Sequence, residues 1–406
     1  MADKTTANPS VLAYIESATG RCFSAKETEH ALEQARNAAV PSKLEEDWRK
    51  TDPDAFPWDR LEGVDLVKTR TEYSISALGG GQATGLVPLE AEGEERCRAM
   101  QMIAGDDYDA KFLYYHKALS RNAACFRIMK GFKGDPIELV QKASGPGLAT
   151  FTTVMVVESG AQVVLYDRWE VGDDAPAAIG RMEIIVEDGA TLTYLQEDNV
   201  GQNSAFYRRG RIQLGKDTKL NWFSATSGAA WHAARLEMDM LGSGSDVIFK
   251  GLFAGSGEAH ADHRTHQYHG APNAKSNLTM KTLLTGHAHS VYQGLITVPQ
   301  QAQRTDAYQQ CRNLLLESGT HADAIPKLEI IADDVRCTHG ASMGSLNPEQ
   351  VFYLQSRGLT RHQAMVAIAS GFAEEIIRHV PVETVQSRWR NVVAKTIGHV
   401  REVPKI

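Results

Sequence analysis

The sequence predicts a mainly β chain with helical ends, its strands wound into a solenoid. From Leu148 onward the chain breaks into short runs rich in β-branched and aromatic residues, including Thr150–Val157, Met182–Glu187, Thr191–Gln196 and Lys219–Ala225. Runs of that kind, bounded by Gly or Asp, are strands. The Gly-led pairs Gly160-Ala161, Gly189-Ala190, Gly215-Lys216 and Gly244-Ser245 return every 26–29 residues, the period of a repeat architecture. Helix-forming stretches stand at both ends. A β-sandwich with irregular turns is the competing arrangement of the same strands.

Taken in chain order, Ser24-Ala25-Lys26-Glu27 reads as a capping box, with the Ser24 hydroxyl and the Glu27 carboxylate each accepting from the other's amide. The helix it opens runs through the His30–Ala39 region and stops before Pro41. Between Lys50 and Glu95 the prolines Pro53 and Pro57, the run Gly79-Gly80-Gly81 and many acids predict loops with short ordered pieces. After the first four strand turns, Gly286-His287-Ala288 and Gly319-Thr320-His321 continue the theme at wider spacing, as insertions on one face of a coil allow. Thr360 caps a helix whose apolar residues Ala364, Ala367, Ile368, Phe372, Ile376 and Val380 fall at helical spacing, and Pro381 ends it. Val382, Val385, Trp389, Val392 and Val393 predict a second helix. Because open solenoid ends expose strand edges, the helical regions read as caps. The division is therefore 1–145 helical and mixed, 146–358 solenoid core, and 359–406 helical.

Bulk properties narrow the function. With 406 residues, 42% hydrophobic and 23% charged, the chain has the composition of a folded protein. A net charge of -7 gives no general attraction to nucleic acid or anionic membrane. The opening MADKTTANPS lacks an apolar h-region, and no run of 18 apolar residues follows, so neither export nor membrane spanning is expected. The five cysteines are odd in number, scattered and without CxxC spacing, which suits reduced thiols in a cytoplasm. No GxxxxGK[ST], GxSxG, HExxH or strand-borne GxGxxG is present. These absences predict a chain that hydrolyses no nucleotide by itself and is not an ordinary enzyme.

The richest chemistry lies in Val335-Arg336-Cys337-Thr338-His339-Gly340-Ala341, which follows the apolar run Leu328–Ile331 and sits on or beside a strand. Two residues apart, Cys337 and His339 then share a face. Thiolate and imidazole suit iron, zinc or a cluster edge, and two ligands leave the set to be completed from elsewhere in the chain or by a partner. The competing reading is a buried thiol and a hydrogen-bonded core histidine. His260, His263, His266 and His269 are spaced by three, and on a strand they alternate faces, so they are not expected to converge on a metal. Cys311 reads as a small core residue. The basic residues Arg378, Arg388, Arg390, Lys395, Arg401 and Lys405 read as a solvated helix face rather than a dedicated docking patch.

The stretch from Gln303 to Glu375 resembles the SufB/SufD family of iron–sulfur cluster assembly proteins. The resemblance rests on Asp306-Ala307-Tyr308, Asn313-Leu314-Leu315-Leu316, Pro326–Ile330, Asp334–Ala341, Phe352-Tyr353-Leu354-Gln355-Ser356-Arg357-Gly358 and Gly371-Phe372-Ala373-Glu374-Glu375. It is closer to SufD than to SufB, because His339 is followed by Gly340 rather than Glu and no cysteine stands near Thr320. The resemblance implies a right-handed parallel β-helix with helical ends, a heterodimer with a SufB-like subunit, and a SufC-like ATPase on the C-terminal helices. Docking is then expected around Phe372, Glu374, Glu375 and Ile376. His339, with Cys337 beside it, is expected to supply metal ligands to an inter-subunit site where a nascent cluster is built. The scaffold is expected to bind no cluster stably by itself, ATP belongs to the partner, and the complex leaves room for a flavin. Two rivals follow from the residues: a carbohydrate- or acyl-acting β-helix enzyme using Asp262 or Asp306 as general acid or base, and a homodimeric scaffold working without SufB.

Overall fold

The computed structural model describes residues 23, 25–61, 69–89, 109–120 and 123–398. Ser24, Cys22, Cys97, Arg401 and Lys405 lie outside the described residues, so of the expected capping box only the helix it would open is seen, α1 (Ala25–Asn37). Short 3-10 turns at Glu46–Trp48, Pro53–Ala55 and Trp58–Leu61 punctuate the stretch read as loops.

Two nine-stranded sheets form the core. The first runs in the order β1 (Arg70–Ala77), β4 (Ile137–Ser144), β6 (Gln162–Val171), β8 (Thr191–Val200), β10 (Lys219–Gly228), β12 (Asp246–Gly255), β14 (Lys275–Leu284), β16 (Thr305–Leu315), β18 (Val335–Ser345). The second begins at β17 (His321–Ile330) and continues through β15 (His289–Val298), β13 (His260–His269), β11 (Trp231–Met240), β9 (Ala205–Leu214), β7 (Ala177–Val186), β5 (Leu148–Val157), β3 (Ala124–Ile128) and β2 (Leu86–Pro88). From β3 onward consecutive strands alternate between sheets, and every pairing among β3–β18 is parallel, with only β1 and β2 added antiparallel at the other end, which makes a β-solenoid and rules out the antiparallel sandwich. The stack of coils extends upstream of residue 146, since β3 and β4 pair in parallel with β5 and β6.

Strand periodicity sends alternate side chains inward, and parallel register stacks like upon like. Val163, Leu192, Leu220 and Val247 form one buried row, and Leu165, Tyr194, Trp222 and Phe249 the next. Tyr194 and Trp222 stack with centroids 4.2 Å apart. At one row of corners the residue entering each first-sheet strand is small and buried: Ala161, Ala190, Thr218, Ser245, Ala274 and Thr305. The residue before it takes left-handed φ, and is Gly160, Gly189, Asp217, Gly244, Asn273 or Arg304. The recurring turn is thus a geometry rather than a glycine: in the third coil it falls on Asp217, two residues beyond the expected Gly215. Gly286, together with Gly257, belongs to the opposite row of corners and not to a widened continuation of the first.

Among the described residues the long helices lie alongside the sheets rather than over the ends. On the outer face of the second sheet, α1 and α2 (Ala110–Leu119) bury Phe112 and Leu119 with Trp48, Phe56, Tyr207 and Trp231. On the outer face of the first sheet, α4 (Arg361–Ile377) and α5 (Glu383–Gly398) bury Met365, Ile376 and Trp389 against Tyr166, Leu195, Phe223 and Leu252. Preceding them is the short α3 (Pro348–Ser356). Apolar side chains on both faces of the central strands therefore need these described helices alongside them. The expected Thr360 capping box is formed, with Gln363 as its partner. Among the described residues no helix is long and apolar enough to cross a membrane.

Candidate functional site at the open end

Among the described residues both sheets end uncovered at the C-terminal coil. β17 and β18 are the terminal strands there, each with one edge that no described strand pairs. Of the ten exposed large hydrophobic side chains among the described residues, five lie in the stretch Ile330–Tyr353: Ile330, Ile331, Met343, Phe352 and Tyr353. Long exposed strand edges beside apolar side chains are the surface soluble proteins ordinarily cover.

The structure brings Cys337 and His339 to this end. Ala307, Gln309, Cys311 and Asn313 of β16 face the buried interior, and their register partners one coil on are Cys337, His339, Ala341 and Met343. The next coil that would bury this second row is absent from the described chain, so positions that are interior elsewhere are half-open here. Cys337 is partly buried and, like Leu328 and Val335, packs against the cluster of Ile296, Val298, Ala302, Ala307 and Ala332, whereas His339 is exposed. Burial pushes the Cys337 thiol up, against a hydrogen bond from the Ala307 backbone that lowers it. Cys337 is accordingly a thiol that a metal or a neighbouring cation must activate. Behind His339, the Gln309 amide donates to the carbonyls of Gly294 (3.1 Å) and Lys327 (3.4 Å), tying the two sheets together beneath the opening. Cys311 lies in the buried row, its thiol pushed up to about 12 by burial, as expected of a core residue.

The four residues expected at the ATPase dock work within the chain. Ile376 is buried, and Phe372 packs against the same cluster. Lys281, itself buried, donates to the Phe372 carbonyl (2.9 Å), pairs with Glu375, and lies 4.2 Å from the Phe372 ring. Glu374 accepts from Arg390 of α5 at 2.7 and 3.0 Å. These contacts fix α4 on the solenoid. A buried carboxylate fixes α5: Glu197 accepts from the Tyr166 hydroxyl, from Arg388 (2.9 Å) and from Trp389 (3.1 Å).

The carboxylates of the enzyme reading do not assemble. Asp262 is fully buried on β13 and Asp306 lies on β16 of the other sheet. Burial favours the neutral Asp262, but Arg264 and Arg235 outweigh it and hold the carboxyl well below the usual range. A hydrogen bond from Arg336 lowers Asp306. Neither is poised to carry a proton near neutral pH. His260 and His266 are partly exposed, while His263 and His269 are buried, so the four histidines of β13 do not converge.

A different histidine set does converge, across strands rather than along one. His260, His289 and His321 are successive register partners on β13, β15 and β17, and Asp323 stands two residues beyond His321. His289, His321 and Asp323 each direct a ligand atom to within 4.8 Å of the others. The signal was present in the sequence as histidines 29 and 32 residues apart, each just after a turn. Pairing register was needed to see it.

With this geometry in view, comparison with known proteins is informative. Residues 140–372 match the family model described as "SUF system FeS cluster assembly, SufBD core domain". An iron–sulfur cluster assembly SufBD family protein of Mycobacterium tuberculosis is 30% identical over 264 residues, covering 63% of this chain and 66% of that one. One from Synechocystis is 30% identical over 212 residues, covering 52% and 47%. The iron–sulfur cluster assembly protein SufD of Bacillus subtilis is 26% identical over 293 residues, covering 71% and 67%. The chain thus spans about half to two thirds of the length of these relatives. The family match extends over the coils from β4 onward and into α4, taking in Cys337 and His339, and so the chain belongs to the SufBD family of SUF-system iron–sulfur cluster assembly proteins.

Proposed function

We propose that the chain is a SufD-like, non-catalytic scaffold subunit that joins a SufB-like subunit through its open solenoid end, with His339 and Cys337 contributing ligands to a nascent iron–sulfur cluster at the seam. The observation that supports this most directly is the half-open inward row on β18, where a thiol and an imidazole share one face of a strand whose edge is unpaired. A cluster edge needs thiolate or imidazole donors, and two donors on one subunit leave the set to be completed, on this reading by the partner subunit. The cluster is cargo here: it forms on the shared ligands and leaves.

Work on that site is proposed to come from a SufC-like ATPase docked on the α4–α5 region. Phe372, Glu374, Glu375 and Ile376 set the position of α4, so force applied to the helices would pass to the first sheet through Lys281. That sheet ends on β18, which carries His339. The thiols of Cys311 and Cys337 suit a reducing cytoplasm. The enzyme reading loses support because Asp262 and Asp306 are separated and each neutralised by arginine.

The test is co-purification of the full chain with SufB-like and SufC-like proteins, followed by cluster formation in the reconstituted complex. His339→Ala is expected to leave complex assembly intact and to lower cluster yield at least about tenfold, the scale of losing a supporting ligand. Failure to associate with either protein, or an unchanged yield, overturns the proposal. A chain that forms only self-dimers by native mass measurement favours the homodimeric scaffold.

A further inference from the structure

On the outer face of the second sheet, β15 and β17 carry the His289, His321 and Asp323 set. The Nε2 of His289 lies 2.9 Å from the Asp323 carboxylate and that of His321 lies 3.3 Å from it. Metal–nitrogen and metal–oxygen bonds of about 2.0–2.2 Å place neighbouring ligand atoms roughly 2.9–3.5 Å apart in octahedral or tetrahedral shells. The two donor–carboxylate spacings already have the size of a coordination edge.

We propose that His289, His321 and Asp323 form a surface site for a divalent first-row transition-metal ion, separate from the cluster-building residues. Two imidazoles and one carboxylate are a donor set suited to zinc or ferrous iron, with further positions open to water. Strand pairing supplies the preorganisation. His289 and His321 are register partners, and Asp323 points to the same face as His321 because it lies two residues along the strand. His289 is packed between two other rings, with His260 at 4.8 Å and His321 at 4.9 Å between centroids.

The ion-free arrangement shows what binding must change. Both rings face Asp323 through Nε2, so a ring that donates there has to move its proton to Nδ1 before that nitrogen can take the metal. Lys50 holds the other carboxylate oxygen at 2.9 Å, and so orients Asp323 from the second shell while adding a positive charge. Its neighbour Thr51 donates to Asp262 at 2.7 Å and lies 3.1 Å from His260 Nε2, so the segment bearing Lys50 is anchored beside the site. The site also differs from the open end in its chemistry, having no thiol.

Cobalt(II) is the probe, added to the full-length Cys337→Ser/His339→Ala chain so that metal at the open end does not contribute. One saturable equivalent is expected, with visible d–d absorption. His321→Ala and Asp323→Asn are each expected to weaken binding at least about tenfold. His321 is exposed on an edge strand, so its variant should keep the parent's urea midpoint, which is measured alongside. Absence of saturable one-equivalent binding, or undiminished affinity in both variants, overturns the proposal. Because the open-end ligands are removed throughout, either result leaves the cluster-building reading to its own test.

Discussion

His116 should make the protein acid-sensitive by a calculable amount. It sits on α2 with no exposed surface, its Nε2 at 2.9 Å from the Phe151 carbonyl and 3.0 Å from the Thr152 hydroxyl. Burial is the main cause lowering its pKa to about 3, assisted by Arg181 and opposed by the Phe151 hydrogen bond. The ring is therefore neutral in the folded chain, whereas in the unfolded chain it protonates near pH 6.5. A depressed histidine pKa means the unfolded state takes up the proton first, so stability falls as pH drops from about 6.5 toward 3. At about 1.4 kcal/mol per pH unit, the loss from this residue between pH 7 and pH 5 is about 2 kcal/mol. His116→Gln keeps a donor toward Phe151 without titrating. Urea unfolding of both proteins at pH 7 and pH 5 isolates the effect, since every other titrating group is common to them. Wild type should lose about 2 kcal/mol more than the variant. Equal losses would show that His116 protonates in the folded state and that its burial is not what sets its charge.

Glu197→Ala removes the acceptor for Tyr166, Arg388 and Trp389, leaving two largely buried donors unpaired. A cost on the order of 3–5 kcal/mol is expected, with the part-exposed Arg388 contributing least, and amide exchange across Val385–Ile397 should accelerate relative to the strands. Unchanged exchange there would reject Glu197 as the anchor of α5. Gly228 has left-handed φ, and a Cβ there would fall inside van der Waals contact of the Val200 carbonyl oxygen. Gly228→Ala should lower stability by about 3 kcal/mol or more through backbone strain and overpacking, and an unaltered urea midpoint would mean the corner rearranges freely.

The sequence displayed the solenoid because parallel coils repeat the same needs at nearly constant intervals: an apolar inward row, a small residue at the corner, a left-handed residue before it. It hid the identity of that last residue, since Asp217, Asn273 and Arg304 meet the same backbone requirement as glycine. The helices were legible from Thr360 and the apolar stripes, but their place was not. A stripe says that a face is buried and does not say against what, and here Met365 and Trp389 meet a sheet face rather than a coil end. Cys337 and His339 were readable as a same-face pair because their spacing lies within one strand. The His289, His321 and Asp323 set spans two strands, and only the 32-residue register step between β15 and β17 brings it together.

The uncovered end bears on which kind of partner can complete it. β17 and β18 present edges belonging to two different sheets, separated by the width of the solenoid and staggered as the coil dictates. A protein that pairs with one edge leaves the other as an aggregation site. A partner built on the same two-sheet coil can meet both edges at once and cover the inward row behind them. On the proposed reading the histidine would then lie where two like folds abut, and a chain with the same two-sheet coil would fit the end better than an unrelated binding protein.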